Sequence, residues 1–197
     1  GASDEKEFKM RRISGLRAAT LILAGMAMTG AMTGAGAPAL ADGNADNLAC
    51  FEQFKPGGDE RLAIYYCSRA IQSGDLAPAD KVTALLNRGV AHKKTGNLQM
   101  AIVDYTAALG IAPDDALVLA NRANAYRESG KLVEALADIN RALELQPERA
   151  ASYYVRGSIY EAQGKEAEAR ADFLKAYELN PESSEYKDKA WDAGAQQ

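Results

Sequence analysis

The fold is decided by residues 82–115, VTALLNRGVAHKKTGNLQMAIVDYTAALGIAPDD, because their pattern returns after 34 residues and again after another 34. Residues 116–149 and 150–183 keep six of its residue types at the same spacing. These are an arginine, a glycine, an alanine, an aspartate, a second alanine and a proline: Arg88, Arg122 and Arg156; Gly96, Gly130 and Gly164; Ala101, Ala135 and Ala169; Asp104, Asp138 and Asp172; Ala108, Ala142 and Ala176; Pro113, Pro147 and Pro181. A fixed period of this length is typical of stacked helical hairpins, so the sequence predicts a repeat protein.

Small and apolar residues recur at helical spacing on both sides of a glycine in each repeat. In the first repeat Gly89 precedes Gly96, and Ala101 and Tyr105 follow it. Gly96 frees the backbone to end the first helix, and Pro113, which lacks an N–H group, cannot continue the second. The chain is therefore predicted to be all-α and built from antiparallel helix pairs. We expect Ala101 to lie opposite Gly89, so that the two backbones approach closely.

The large side chains of the repeats are predicted to fill the core. Tyr105, Ile139 and Phe173 share one repeat position, and Tyr126 and Tyr160 share another. Large residues at helical spacing usually pack against neighbours, so we interpret them as core residues and not as a ligand cage.

The repeated arginines and aspartates are interpreted as structural. Each arginine lies on a first helix and each aspartate on the second helix of the same pair, as Arg122 and Asp138 do. We expect them to pair within or between adjacent repeats instead of binding a ligand. Asp114 and Asp115 follow Pro113 at a helix start, where acidic residues interact favourably with the helix dipole.

Composition and charge exclude several classes of function. The chain has 197 residues and a formal net charge of −4. Its sequence shows no stripe of basic and aromatic residues of the kind that binds a nucleic-acid backbone, so we predict no nucleic-acid partner. With one histidine, His92, and no glycine-rich phosphate loop, the sequence offers no nucleophile–base pair and no metal cluster. We predict a non-enzymatic protein without catalytic residues, metal or cofactor, in which His92 fills a helix face.

The first 41 residues differ in composition from the rest of the chain. Residues 1–9 are highly charged, precede Met10, and are interpreted as a cloning remnant or a natural extension. Residues 10–41 combine arginines, an uncharged stretch and a small-residue site, which predicts a signal peptide cleaved between Ala41 and Asp42. The alternative is an uncleaved inner-membrane anchor, because residues 18–41 exceed the roughly 20 residues that span a bilayer.

Cys50 and Cys67 are the only cysteines of the chain. In an exported protein an even pair favours a disulfide, which would close a loop worth about 3 kcal/mol by the chain-entropy estimate. The alternative is a pair of small buried residues in a helical hairpin.

The repeat residues resemble those of the tetratricopeptide repeat (TPR) family. With positions counted from Val82, Ala116 and Ala150, the family has a small residue at position 8, an aromatic at 11, alanine at 20 and 27, a large apolar residue at 24 and proline at 32. Residues 82–183 match this pattern, except that His92 occupies an aromatic position and the tryptophan favoured at position 4 is absent. The resemblance implies a right-handed superhelical solenoid with repeats at residues 82–115, 116–149 and 150–183.

Both ends of the solenoid are predicted to be less regular. Residues 42–81 are expected to form a degenerate hairpin with a short first helix over 47–54, in which Cys50 faces Cys67. Residues 184–197 are expected to form a capping helix and tail that close the last apolar face, with Trp191 on the packed side.

The resemblance also implies a binding surface on the concave side, lined by first helices. Among its variable positions we select a partner-binding set with polar or aromatic side chains: Asn87, Lys94, Asn121, Asn124, Arg127, Tyr154 and Ser158. Amides such as Asn87 and Asn121 can bond a peptide backbone, or else brace the helix packing. The residues with which some relatives clamp a chaperone's terminal carboxylate are replaced here by Leu86, Val90, Ala151 and Val155.

The predicted function is a scaffold that binds a peptide or helical segment of a cell-envelope protein in this groove. The export signal, the cysteine-bearing first hairpin and the repeats resemble exported TPR proteins of Gram-negative bacteria, which implies a periplasmic or secreted location. Two alternatives stay open. One is a membrane-tethered assembly or secretion factor with an uncleaved anchor, and the other is a structural protein that self-associates by stacking its end repeats.

Overall fold

The computed structural model of the protein describes residues 42–195, and within that range the chain forms nine α-helices and no strand. The helices are α1 Gly43–Glu52, α2 Glu60–Ser73, α3 Pro78–Lys94, α4 Leu98–Ile111, α5 Ala116–Glu128, α6 Leu132–Leu145, α7 Ala150–Ala162, α8 Glu166–Leu179 and α9 Ser184–Ala195. The all-α prediction is confirmed. The predicted charged extension and signal peptide, and the last two residues of the predicted tail, lie outside the described residues.

Successive helices pair into hairpins, α1 with α2, α3 with α4, α5 with α6 and α7 with α8, and each hairpin packs against the next. First helices of neighbouring hairpins also contact each other: α1 meets α3, α3 meets α5, and α5 meets α7. No comparable contact joins neighbouring second helices between residues 42 and 195. The superhelical stack is therefore closest on the side of its first helices.

The turn within each complete hairpin depends on a glycine in the left-handed region. Gly96, Gly130 and Gly164 have φ values of 81°, 77° and 72°, which other residues rarely adopt. Each glycine follows the last residues of a first helix, and the next helix begins two residues later. The predicted role of these glycines is confirmed.

Each complete second helix ends just before its proline. The residues preceding the prolines, Ala112, Gln146 and Asn180, have left the helical conformation, with ψ values of 83°, 78° and 81°. The proline ring disfavours a helical conformation of the preceding residue, which explains the shared stop. After Pro113, Asp115 caps α5, because its Oδ1 accepts from the backbone N–H groups of Leu117 and Val118 at 2.9 and 3.0 Å.

The predicted core residues Tyr105, Ile139 and Phe173 are at most 1% exposed. Tyr126 and Tyr160 are only half-buried, and cations lie over both rings. The five large residues therefore divide into three that are fully buried and two that lie at the border of the core.

The close approach at position 8 involves the large residue at position 24. A Cβ atom added at Gly89 would collide with the ring of Tyr105, and one added at Gly157 would lie 2.8 Å from the ring of Phe173. The Cβ added at Gly157 would also lie 3.2 Å from the backbone oxygen of Ala169, the equivalent of Ala101, so the expected approach of the two backbones is present in that repeat. Ala101 is itself fully buried.

The first hairpin contains a disulfide between Cys50 and Cys67, whose Cα atoms are 5.0 Å apart. Its first helix begins at Gly43, earlier than the expected span 47–54, because the carboxylate of Asp42 caps it by accepting from Asn44 and Ala45. The following helix α3 also begins early, at Pro78, since proline suits the first helical position.

Helix α9 packs on α8 as a cap, with Ala190 3% exposed and Tyr186 half-buried. Trp191 is 58% exposed, so it is less buried than expected. Its ring meets Tyr177 edge-on at 5.5 Å.

Among the helices formed by residues 42–195, none combines the length and the apolar character needed to cross a membrane.

Candidate functional site

The first helices present one continuous row of side chains where they meet. We call this row the inner face and define it by positions 2, 5, 6, 9, 12 and 13 of α3, α5 and α7. Its members are Thr83, Leu86, Asn87, Val90, Lys93 and Lys94; Leu117, Ala120, Asn121, Asn124, Arg127 and Glu128; and Ala151, Tyr154, Val155, Ser158, Glu161 and Ala162. Lys93 on α3 reaches Glu128 on α5 at 3.2 Å, so residues of neighbouring first helices meet directly on this face.

The floor of the inner face is apolar. Leu86, Val90 and Val155 are half-buried and pack against the hydrophobic core with one side. Leu117 is also half-buried, and Ala120 is 7% exposed. The remaining accessible part of these side chains can contact an apolar group of another molecule without any rearrangement of the core.

The predicted amide and hydroxyl residues are mostly engaged within their own helices. Asn121 donates to the carbonyl of Leu117 at 2.9 Å, and Ser158 donates to that of Tyr154 at 2.9 Å. The Nδ2 atom of Asn87, in contrast, is buried and has no hydrogen-bond partner among the described residues. Among the amides of this set, Asn87 is thus the one whose donor group is both buried and unpaired.

The ends of the first helices add charged groups to the inner face. Lys94 lies 3.4 Å from Glu60 at the start of α2, with its ammonium 5.8 Å from the ring centre of Phe54. Arg127 donates to the side-chain oxygen of Asn124 at 2.9 and 3.1 Å. These contacts hold the cations against the protein surface and link α3 to the first hairpin.

Tyr154 joins α7 to the cap. Its hydroxyl donates to Glu185 on α9 at 2.8 Å, and its ring lies 5.0 Å from that of Tyr186. Burial and this hydrogen bond raise the pKa of Tyr154 to about 12. Lys189 of α9 binds both carboxylate oxygens of Glu161 on α7, at 2.8 and 2.9 Å. Tyr154 therefore serves the docking of α9, and the structure shows it only partly available for a partner.

The arginine–aspartate pairing is confirmed in all three complete repeats. Each arginine makes two hydrogen bonds to the aspartate of its own hairpin, as Arg122 does to Asp138 at 2.6 and 2.8 Å. Arg88 with Asp104 and Arg156 with Asp172 repeat this geometry. The hydrogen bonds to Asp138 raise the pKa of Arg122 above its ordinary value. These residues hold hairpins together and lie outside the inner face.

A third partner of each arginine was not predicted from the sequence. Arg88, Arg122 and Arg156 also bond Ser68, Thr106 and Asn140, each at 3.1 Å on the second helix of the preceding hairpin. Position 25 is polar in each of these hairpins, and this recurring polarity is the sequence feature that could have indicated a third partner for the arginines. The three arginines thereby link each hairpin to the one before it.

His92 lies on the packed side of α3, as expected for a residue that fills a helix face. Its side chain is 12% exposed, and its Nε2 atom is 3.9 Å from Asp104. Burial lowers the pKa of His92, although the Asp104 carboxylate acts in the opposite direction. Nearby, burial raises the pKa of Tyr105 far above its ordinary value. In residues 42–195, no cluster of three or more histidine, cysteine, aspartate or glutamate side chains could hold a metal ion.

Comparison with known proteins agrees with this geometry. Models of the tetratricopeptide repeat match residues 82–115 and 121–184. No curated protein matches the chain. The fold and its repeated contacts define a helical-repeat protein. More specifically, the chain belongs to the tetratricopeptide repeat family.

Solved structures of other TPR proteins are similar over most of the described helices. The first TPR domain of Spaghetti (RPAP3) bound to the HSP90 peptide SRMEEVD is 28% identical, with a TM-score of 0.56, and the match covers 59% of this chain and 94% of that one. A tetratricopeptide repeat protein from Parabacteroides merdae is 28% identical, with a TM-score of 0.61 and coverage of 75% and 57%. MamA from Desulfovibrio magneticus, 18% identical with a TM-score of 0.63 and coverage of 80% and 92%, shares the fold.

Proposed function

We propose that the protein is a non-enzymatic interaction scaffold whose inner face binds a peptide or helical segment of a protein partner. The observation that carries this proposal is the row of half-buried apolar side chains on the inner face, Leu86, Val90 and Val155, each of which keeps part of its surface accessible. TPR domains are protein-interaction modules, and the similar RPAP3 domain was solved with a peptide bound.

The chemistry of the inner face favours an apolar segment over an acidic chain end. Leu86, Val90, Ala151 and Val155 occupy positions where carboxylate-binding relatives carry polar and basic groups, and all four are half-buried. An apolar side chain of the partner would remove water from these residues. We therefore propose a different ligand class from the acidic peptide named for RPAP3.

The proposal is tested with peptides selected from a random dodecapeptide display library on the purified full-length protein. The double variant Val90→Gln/Val155→Gln places polar groups on the inner face and should weaken binding by about tenfold. The matched control is Val103→Gln/Val133→Gln, on the second helices α4 and α6, where the valines are 50% and 78% exposed. Equal affinity of both variants for the selected peptides would contradict the proposal.

We also propose that the protein works in the periplasm after export. The support is the signal-like composition of residues 10–41 together with the disulfide of the first hairpin, which suits an oxidising compartment. Mass spectrometry of the protein from its native source should give an N-terminus at Asp42. A chain that retains residues 18–41 would instead support the membrane-tethered assembly factor.

A further inference from the structure

The disulfide of the first hairpin stands where the complete repeats have a small residue packed on a large one. Cys67 lies between Ala63 and Ala70, all fully buried, just as Tyr105 lies between Ala101 and Ala108. Cys67 therefore occupies position 24. Its bonded partner Cys50 then occupies position 8, the place of Gly89 opposite Tyr105.

This register is supported by burial elsewhere on α1. Position 10 is buried on α3, α5 and α7, where Ala91, Ala125 and Ile159 are fully buried. On α1 the equivalent residue is Glu52, which is exposed. A charged, exposed residue at this position is what the first hairpin of a stack requires.

Counting from Cys50 places Leu48 at position 6 and Phe51 at position 9, both of which are inner-face positions. Their side chains are 62% and 52% exposed. Phe54 falls at position 12, and its ring lies 5.8 Å from the ammonium of Lys94, an inner-face residue of α3. The inner face thus continues from α3 onto the first hairpin, where positions 6, 9 and 12 are all apolar.

The opposite end of the inner face carries an excess of acidic groups. Counted from Ser184, the inner-face positions of α9 hold Glu185, Asp188 and Lys189, whereas Lys187 falls at position 4, outside this face. Together with Glu161 on α7, three acidic residues thus lie beside one lysine at these positions. Lys189 is bound to Glu161, and Glu185 accepts the hydroxyl of Tyr154. Positions 6 and 9 are both apolar only on α1, with Leu48 and Phe51, among the first helices of the described residues. The pairs on α3, α5 and α7 each contain a polar residue: Asn87 with Val90, Asn121 with Asn124, and Val155 with Ser158.

We propose that the partner segment carries two large apolar side chains at the end that lies over α1 and basic side chains at the end that points toward α9. This inference rests on the proposed function and specifies its ligand. The apolar pair would cover Leu48 and Phe51, which are otherwise exposed to water, and the basic end complements the acidic excess. The disulfide has a role in recognition, because it fixes the helix that carries the apolar end.

The experiment uses the same dodecapeptide library on the oxidised full-length protein. Selected peptides should be enriched in a pair of large apolar residues at one end and in lysine or arginine toward the other. Leu48→Gln/Phe51→Gln should bind them about tenfold more weakly. The matched control Leu62→Gln/Tyr65→Gln changes exposed residues on α2 of the same hairpin and should leave affinity within about twofold of the original.

The outcomes separate this inference from the proposed function. Peptides that lose affinity for Val90→Gln/Val155→Gln but keep it for Leu48→Gln/Phe51→Gln leave the inner face as the binding site and overturn its extension to α1. Selected peptides without the apolar pair also overturn the inference. If the original protein selects no peptides at all, both proposals fail.

Discussion

At the scale of single residues, the packing of each complete hairpin depends on how much space the residue at position 8 leaves for the side chain at position 24. Gly89 has no side chain, and the ring of Tyr105 fills the space beside it, as Phe173 does beside Gly157. In the middle hairpin the same two positions hold Ala123 and the smaller Ile139, both fully buried. The pairs compensate in volume, as close-packed interiors require.

Gly89→Ala should therefore lower the free energy of unfolding by about 1 to 3 kcal/mol, because the new methyl group collides with a buried ring. Gly110→Ala is the matched control. It lies on the exposed side of α4 with no atom near the added Cβ, so it should raise stability by about 0.5 to 1 kcal/mol through helix propensity. Urea denaturation of both variants measures the difference, and a stabilised Gly89→Ala protein would refute the packing argument.

His92 makes stability depend on pH near neutrality. Because burial lowers its pKa in the folded state, the unfolded state binds more protons below the ordinary value of about 6.5. The stability gained by burying neutral His92 is present above that pH and is lost as pH falls toward the lowered pKa.

Replacement of His92 by tyrosine, the residue found at the equivalent positions 126 and 160, should remove this dependence. We expect the melting temperature of the original protein to fall more between pH 7.5 and pH 5.5 than that of His92→Tyr, by about a few degrees. The difference between the two profiles isolates His92 from the carboxylates, which titrate in both. Parallel profiles would show that His92 does not contribute.

Single residues differ in how far the sequence alone predicted them. The arginine–aspartate pairs and the turn glycines follow from the period, since a repeated polar residue at a fixed place needs a repeated partner. The contact of Gly89 with the ring of Tyr105 was not predicted, because helical spacing gives the face of a residue but not its height on the neighbouring helix. Hydrogen bonds of the inner-face amides depend on rotamers, which no spacing specifies.

At the scale of elements, the first hairpin replaces a packed pair with a covalent bond. The side chains of Cys50 and Cys67 together have less apolar surface than the tyrosine side chain that fills the same pair of positions in the next hairpin. The first hairpin therefore has less apolar area to bury. The disulfide offsets this loss by restricting the unfolded chain, as in other small units with limited cores.

Removal of the bond in Cys50→Ala/Cys67→Ala should lower the stability of this hairpin by about 3 kcal/mol. Cys50→Gly/Cys67→Tyr rebuilds the pair formed by Gly89 and Tyr105 in the next hairpin. This variant should recover about 1 to 2 kcal/mol of that loss by burying the tyrosine ring. Limited proteolysis of the first hairpin compares the two variants, with the reduced original protein as a reference. Faster cleavage of the glycine–tyrosine variant than of the alanine variant would show that the two pairs are not equivalent.

Helix boundaries were predicted best where residues that end a helix recur at the same place in each repeat. The stops before Pro113, Pro147 and Pro181 are identical in kind because proline acts on the residue before it. The start of α1 was predicted too late, because the capping carboxylate of Asp42 lies outside the repeating pattern. Helix α3 begins at Pro78, before the first residue of its repeat. Local capping chemistry decided them.

At the scale of the whole molecule, three arginines connect four hairpins. Each binds an aspartate of its own hairpin and a polar side chain of the preceding one, so that a single guanidinium joins three helices. Stability in repeat proteins depends on such contacts between neighbours. Arg122, in the middle of the described stack, joins α5, α6 and α4.

Arg122→Lys should destabilise the stack by about 1 to 3 kcal/mol, because an ammonium cannot reproduce the planar fork that bonds Asp138 and Thr106 together. Arg141→Lys is the control. Arg141 is 48% exposed, and its replacement should change stability by no more than about 0.5 kcal/mol. Thermal melts of both variants test this, and the argument fails if they are equally stable.

The architecture was predictable from the period, whereas the partner was not. The residues that create the period are those that build the stack, and inner-face residues can vary without changing it. The apolar end formed by Leu48 and Phe51 could not be located from the sequence, because the first hairpin has a longer internal loop than the others. Its register became clear only through the contact of Cys50 with Cys67.

Trp191, the only tryptophan of the chain, lies at the contact between the cap and the last complete hairpin. Trp191 lies 34 residues after Gly157, so it occupies position 8, where the complete hairpins have a small residue. Its indole contacts the ring of Tyr177 edge-on. Intrinsic fluorescence excited at the indole therefore originates from a single place, the surface between α8 and α9. Detachment of the cap should be visible optically even when the circular dichroism of the remaining helices is unchanged, which makes this natural chromophore a reporter of fraying at one end of the solenoid.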